Sequence, residues 1–292
     1  MNRREAGKLL GAALLGARSG LGAPVGAGVR FSFMLWALAK QAPFDRCLEM
    51  VAAAGYQGVE LTGEFKAWSA EERRRVMARM RGLGLVVDSM SGVKAGFAVP
   101  GETGAFLEQI AAHLEAATEV ECGQVILLSG RRVAGVSAEA QRDCAVENLK
   151  RAGELAARRQ IEIVIEPIDL LENPTIFMAS VTQAFELASA VGQPQVKVLY
   201  DLYHEQRSFG NLLEKLEKNI GQVGLIHVAD VPGRHEPGTG EIDYGVIYRK
   251  LAELRYERWI AMEYYPTGDP VASLKAARVE AQRGLGVSVS GR

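Results

Sequence analysis

Four residues of metal-ligating type stand at or near the ends of four successive apolar runs. They are Glu166 in IEIVIEP (161–167), Asp201 in VKVLYD (196–201), His227 in GLIHVAD (224–230) and Glu263 in WIAMEYY (259–265). Three carboxylates and one imidazole suit a single divalent ion, Mn²⁺, Mg²⁺, Co²⁺ or Zn²⁺. The oxygen-rich set favours Mn²⁺, and the imidazole keeps the transition metals in contention. Three carboxylates in one pocket repel one another, and a divalent ion relieves that repulsion. Each residue also has a plainer reading. A lone Glu at a strand end is more often exposed or salt-bridged. Asp201 is placed to cap a following helix, and a lone His in a strand is commonly a satisfied core residue. Together the four resist that reading, because polar groups within apolar strands are destabilising unless paired or liganded.

The elements that must position these residues are legible as an alternation. Four earlier β-type runs, VRFSFML (29–35), GVEL (58–61), VVDSM (86–90) and QVILL (124–128), precede the four above. Helical patterns separate them at Phe44–Ala54, Ala70–Gly82, Ala105–Glu119, Ala138–Arg159, Thr182–Ala190, Leu212–Ile220 and Tyr244–Leu254, and Pro270–Arg283 closes the series. Strands alternating with helices specify βα units and a parallel sheet. Eight such units predict a closed (β/α)8 barrel, an α/β fold whose active site lies at the C-terminal strand ends. No G-x-G-x-x-G follows the first strand, which removes the main support for a dinucleotide-binding sheet. Ser69 with Glu72 forms a capping-box pattern, Ser180 and Asp243 are placed as N-caps, and Gly55, Gly84 and Gly192 sit where helices stop.

Composition narrows the class. The 292 residues are 48% hydrophobic and 24% charged, with a net charge of −1. That is an ordinary globular balance, with no basic excess for nucleic acid or a membrane surface. Cys47, Cys122 and Cys144 are odd in number, far apart and free of zinc-motif spacing. They read as buried free thiols, with one disulfide as the alternative. Residues 1–27 differ from the rest. Arg3 and Arg4, an apolar stretch from Leu9 to Ala17 and a small-residue Val25-Gly26-Ala27 site resemble a twin-arginine export signal. This divides the chain into a signal or loose arm, 1–27, and one catalytic barrel, 28–292. It also predicts a periplasmic protein, or a cytoplasmic one if the segment is only an arm. No segment is long enough to insert in a membrane.

The run HVADVPGRHEPGTGEIDY (227–244), with IEPI (165–168), YDLYH (200–204) and MEYYP (262–266), resembles the hydroxypyruvate isomerases of the xylose-isomerase-like barrel superfamily. That superfamily also holds the ketose 3-epimerases, and the similarity extends over about residues 29–283. The resemblance implies that Glu166, Asp201, His227 and Glu263 ligate the metal, with Glu166 and Glu263 also the acid/base pair. It implies that His204 faces the substrate, that Arg234 holds substrate oxygens, and that Glu241 orders its loop or orients a neighbour. Homo-oligomers are common in the group. Glu60, near the end of the second strand, is a further candidate for the mouth or a structural ion pair. Phe33 and Trp36 are pocket wall or plain core, Trp68 is part of a hydrophobic lid, His113 is a surface residue, and His235 is a solvated or site-facing loop residue.

The chemistry agrees with the resemblance. Interconverting a small hydroxy-aldehyde and hydroxy-ketone requires removing a proton beside the carbonyl. A metal stabilises the resulting enediolate as a Lewis acid while one carboxylate removes the proton and another returns it. Hydroxypyruvate isomerases often carry Gln at the place of His227 and the sugar epimerases His, so a ketose 3-epimerase remains an alternative. A non-catalytic sugar-binding barrel and a lyase sharing the enediolate step are others. A related DNA-repair endonuclease would need a histidine-rich trinuclear zinc site and a basic surface, and this chain has four histidines and a net charge of −1.

Overall fold

Side chains along a strand alternate between its two faces, and here the two faces form two separate cores. The computed structural model describes residues 28–287. Its strands are β1 (Arg30–Met34), β2 (Gly58–Leu61), β3 (Val86–Met90), β4 (Gln124–Leu128), β5 (Glu162–Glu166), β6 (Val196–Asp201), β7 (Val223–Val228) and β8 (Trp259–Met262). They pair in parallel in chain order, and β1 closes the barrel against β8. Met34, Ile126, Val164, Leu199, Leu225, Trp259 and Ala261 pack in one cluster. Their strand neighbours, such as Phe33, Ile165, Tyr200, Ile226 and Ile260, join the larger cluster shared with the helices. Two residues beyond Val164, Leu199, Leu225 and Ala261 come Glu166, Asp201, His227 and Glu263. The period of two therefore aims all four at the barrel axis at its C-terminal end.

The helices are α1 (Phe44–Ala53), α2 (Ala70–Leu83), α3 (Thr103–Glu119), α4 (Ala138–Ala157), α5 (Val181–Val191), α6 (Leu202–Ser208), α7 (Leu212–Asn219), α8 (Tyr244–Glu253) and α9 (Pro270–Gly284). The side chains of Ser69, Ser180 and Asp243 accept the backbone N–H groups of Glu72, Gln183 and Val246, as expected of N-caps. Gly84 and Gly192 end α2 and α5 at φ +72° and +66°, a region that side chains with a Cβ rarely adopt.

Two features of the helical layer depart from the sequence reading. Helix α6 was not anticipated. It spans 7 residues and buries four in a row, Leu202 to Glu205, so it has no amphipathic period to detect. His113, expected at the surface, is 4% exposed. It lies on the same stripe of α3 as Phe106, Ile110, Leu114 and Ala117 and meets Phe65 edge-on at 5.2 Å. Burial pushes its imidazole down to about 4.

Phe33 is core, set edge-on to Tyr56 and Tyr264, and Trp68 packs against Phe44. Cys47, Cys122 and Cys144 are free thiols, the first two buried. No helix among the described residues is long and apolar enough to cross a membrane. The export-signal reading of residues 1–27 lies outside the described residues.

Candidate active site

The barrel brings Glu166, Asp201, His227 and Glu263 together. Each is buried, and each offers a ligand atom within 4.8 Å of the others'. His227 Nδ1 lies 2.7 Å from Glu263 Oε2, 3.8 Å from Glu166 Oε1 and 3.9 Å from Asp201 Oδ2. Asp201 and His227 are direct partners across the β6–β7 ladder. Both readings of Asp201 hold at once. Its Oδ1 accepts the N–H groups of Tyr203 and His204 at the start of α6. Its Oδ2 is buried without a hydrogen-bond partner and faces His227 and His204.

Around this group stand the other anticipated residues. His204 Nδ1 lies 2.7 Å from Asp169 Oδ2, and its Nε2 lies 3.6 Å from Asp201 Oδ2. Arg234 reaches in from the β7–α8 loop, where its backbone takes φ +57°. Its guanidinium meets Glu263 Oε2 at 2.7 Å and both oxygens of Glu172 at 3.0 and 3.1 Å. Trp36 donates its indole N–H to Glu263 Oε1 at 3.1 Å and so walls the site. Glu60 lies at 0% exposure, not in the open mouth. There it accepts from Ser89 Oγ at 2.5 Å and faces His227 Nε2 at 3.2 Å, on the far side of the imidazole from Glu263. Glu241 is exposed, bonded to Gln206 at 3.1 Å. His235 holds the carbonyl of Tyr265 through Nδ1 at 2.9 Å.

Several participants escaped the sequence reading. Asp169, Glu172, Tyr203 and Arg207 form a charged and aromatic rim beside Arg234. Asp230, fully buried, accepts four backbone N–H groups of the following loop, those of Val231, Gly238, Gly240 and Ile242. Only Asp230 had a local signal, an Asp opening a Pro- and Gly-rich stretch where side-chain turns form.

Charge is unevenly balanced in this pocket. Burial pushes the Glu166 carboxyl up to about 8, with Glu263 and Asp201 adding to the rise against the pull of His227 and His204. Burial also works to raise Glu263, but Arg234 and His227 outweigh it and hold that group well below the carboxylate range. Burial opposes the charge on His204, yet Asp201 and Asp169 carry it up to about 9. The same contest, won by Glu60 and Glu263, raises His227 well above an ordinary imidazole. A pocket that keeps one glutamate neutral beside two raised histidines is short of positive charge, and its four donors could hold a metal ion.

A family model described as xylose isomerase-like TIM barrel matches residues 48–283. The chain belongs to the xylose isomerase-like TIM barrel family. Hydroxypyruvate isomerase of Escherichia coli (strain K12) is 30% identical over 256 residues, which cover 85% of this chain and 97% of that protein. The 2-oxo-tetronate isomerase of Pectobacterium atrosepticum is 35% identical over 155 residues, 53% of this chain and 59% of that one. This member of the family is an isomerase. Among solved structures, one titled AP endonuclease, family 2 from Brucella melitensis superposes with a TM-score of 0.77 at 26% identity, covering 84% of this chain and 96% of its own. The D-psicose 3-epimerase of Clostridium cellulolyticum H10, solved with D-tagatose, shares the fold at a TM-score of 0.69 and 17% identity, over 88% of this chain and 95% of its own.

Proposed function

We propose that this isomerase interconverts a small hydroxy-aldehyde and hydroxy-ketone of the hydroxypyruvate type, by proton transfer between carbons through Glu166 and Glu263. One divalent cation would be held by Glu166, Asp201, His227 and Glu263, and Mn²⁺ suits this oxygen-rich set best. The observation that carries the reading is the convergence of these four buried donors, with Asp201 Oδ2 aimed among them and without a hydrogen-bond partner. When bound, the ion would supply Lewis acidity for the carbonyl and hydroxyl oxygens of the substrate.

The protein's own groups do the rest. One glutamate removes the proton beside the carbonyl and the other returns a proton to the former carbonyl carbon, while the hydroxyl proton passes to the former carbonyl oxygen, which turns one carbonyl position into the other. Arg234 would hold substrate oxygens against Glu263. His204, kept cationic by Asp201 and Asp169, donates to a substrate oxygen. Glu60 acts from behind, accepting from His227 Nε2 so that Nδ1 faces the site, the usual role of a carboxylate beyond a ligating histidine. Glu241 ties its loop to α6 through Gln206 rather than touching the substrate.

The net charge of −1 disfavours a nucleic-acid substrate. A ketose 3-epimerase would use the same first step, and the His227 position and the epimerase folds keep it as the second reading. The deciding assay supplies Mn²⁺ in deuterated water with hydroxypyruvate and a panel of ketoses, read by NMR. Interconversion with deuterium beside the carbonyl is expected for hydroxypyruvate. Inversion of a ketose at C3 would favour the epimerase, and no conversion of any substrate by the metal-loaded protein would sink both readings.

The charge deficit makes a separate prediction. Without metal, Glu166 is neutral below about pH 8 and His227 is protonated, and both must shed a proton to act as ligands. Mn²⁺ affinity should therefore climb with pH, by up to about two decades per unit below pH 8, and less steeply above it, where only His227 still has a proton to shed. Calorimetry in buffers of different ionisation enthalpy counts the released protons. An affinity that stays level between pH 6 and 8 would refute the charge assignment.

A further inference from the structure

Beside the acid/base pair, two guanidiniums share one carboxylate. Arg234 Nη1 contacts both oxygens of Glu172, at 3.0 and 3.1 Å, while its Nη2 holds Glu263. Arg207, on α6, approaches the same Glu172 at 3.5 Å. Arg207 is also bonded to Asp169 Oδ2 at 3.1 Å and to the Tyr203 hydroxyl at 2.8 Å. Both guanidiniums lie over the Tyr203 ring, 4.9 and 5.0 Å from its centre. The two arginines are thus anchored from below, by Asp169, Tyr203 and Glu263. The backbone N–H of Glu172 is tied to Asp169 Oδ1 at 2.9 Å, but its carboxylate is held by the two arginines alone. Glu172 is 42% exposed, next to the 73% exposed Leu171 in the loop between β5 and α5.

We propose that Arg207 and Arg234 form a subsite for the carboxylate of a 2-oxo acid, and that Glu172 occupies it until the substrate displaces it. This rests on the isomerase reading above and adds the feature that separates acids from neutral ketoses. A bridging carboxylate between two guanidiniums is a geometry that rewards a planar anion with paired charge-assisted hydrogen bonds. The position also suits the reaction. One guanidinium spans Glu172 and Glu263, so an anion in place of Glu172 sits one guanidinium away from a proton-transferring carboxylate. In a 2-oxo acid the carboxylate is bonded directly to the carbonyl carbon, which places C2 and C3 towards Glu263. Exchange of Glu172 for a substrate carboxylate keeps the local charge constant. A neutral ketose offers no anion in exchange, so its binding either leaves Glu172 in the way or leaves two cations short of a partner, and discrimination follows from that penalty.

The test compares hydroxypyruvate with dihydroxyacetone, its neutral counterpart of equal length, in wild type, Arg207→Gln and Glu172→Gln. For Arg207→Gln the ratio of kcat/KM for the acid over the ketose should fall about tenfold, mainly through KM for the acid. Oxalate binding, followed by calorimetry on the metal-free protein, should weaken in Arg207→Gln and strengthen in Glu172→Gln, because the internal competitor has gone. A ratio that falls less than threefold, or oxalate affinity that moves the same way in both variants, overturns the subsite. If the wild type turns over neither compound, the hydroxypyruvate-type reading fails. The opposed oxalate shifts would still establish the anion subsite, and their absence would remove it too.

Discussion

Glu263→Gln is expected to lower turnover about a thousandfold, within the range by which a positioned acid/base group accelerates proton transfer. The substitution keeps the size of the side chain and keeps an oxygen for the indole N–H of Trp36, 3.1 Å away in the native site. What it removes is the charge that faces His227 Nδ1 and Arg234 Nη2, each at 2.7 Å. Arg234 retains Glu172, so the guanidinium is not left buried and unpaired. The barrel should therefore remain folded, with an unchanged far-ultraviolet spectrum. Measured on protein shown to retain bound Mn²⁺, two readouts separate an acid/base role from a structural or metal-holding one. Turnover falls, and exchange of the substrate proton beside the carbonyl with solvent deuterium falls with it. Activity retained within tenfold would remove Glu263 from the proton-transfer step.

Asp230→Ala is expected to destabilise the protein by about 3 kcal/mol, the scale for stranding several backbone donors that a buried carboxylate had satisfied. In a domain of this size that corresponds to a fall in Tm of roughly 6–10 °C. Asp230 Oδ1 accepts from Val231 at 2.9 Å and Ile242 at 3.1 Å, and Oδ2 from Gly238 and Gly240 at 2.9 Å each. The loop wraps this carboxylate so tightly that a Cβ on Gly240 would stand 2.6 Å from Oδ1 and 2.0 Å from the Val231 carbonyl. The same loop carries Arg234, whose N–H bonds the Asp230 carbonyl at 3.1 Å. Loss of the wrap should thus raise KM together with lowering Tm. Asp230→Asn, which keeps one acceptor oxygen, should fall between wild type and Ala in both measurements. If Asp230→Ala melts at the wild-type temperature with unaltered KM, the loop is held by something else.

How far the sequence reached can be judged from particular residues. The strand runs GVEL, VVDSM and QVILL coincide with β2, β3 and β4 to the residue. Alternation is a local property, and strand burial on both faces keeps such runs apolar except where a side chain has work at a strand end. WIAMEYY was read too long. β8 ends at Met262, and Glu263 follows the strand rather than closing it. Its aim survives because the first residue past a strand still inherits the strand's direction. His113 was misplaced for the opposite reason. Its residue type suggested surface, whereas its spacing from Phe106 and Ile110 put it on the buried stripe.

By itself the sequence determined eight alternating units, the faces of their strands, and therefore the convergence of Glu166, Asp201, His227 and Glu263. Those facts follow from periods of two and 3.6 residues, which are written in neighbouring positions. Only the tertiary structure decided which oxygen of Asp201 caps α6 and which enters the site. It also decided that Glu60 stands behind His227 rather than in the mouth. The rim was beyond local reading as well. Arg234 meets Glu172 across 62 residues and Arg207 meets Asp169 across 38. Their contacts depend on how two loops and helix α6 come together over a closed barrel, and no repeat along the chain encodes that path.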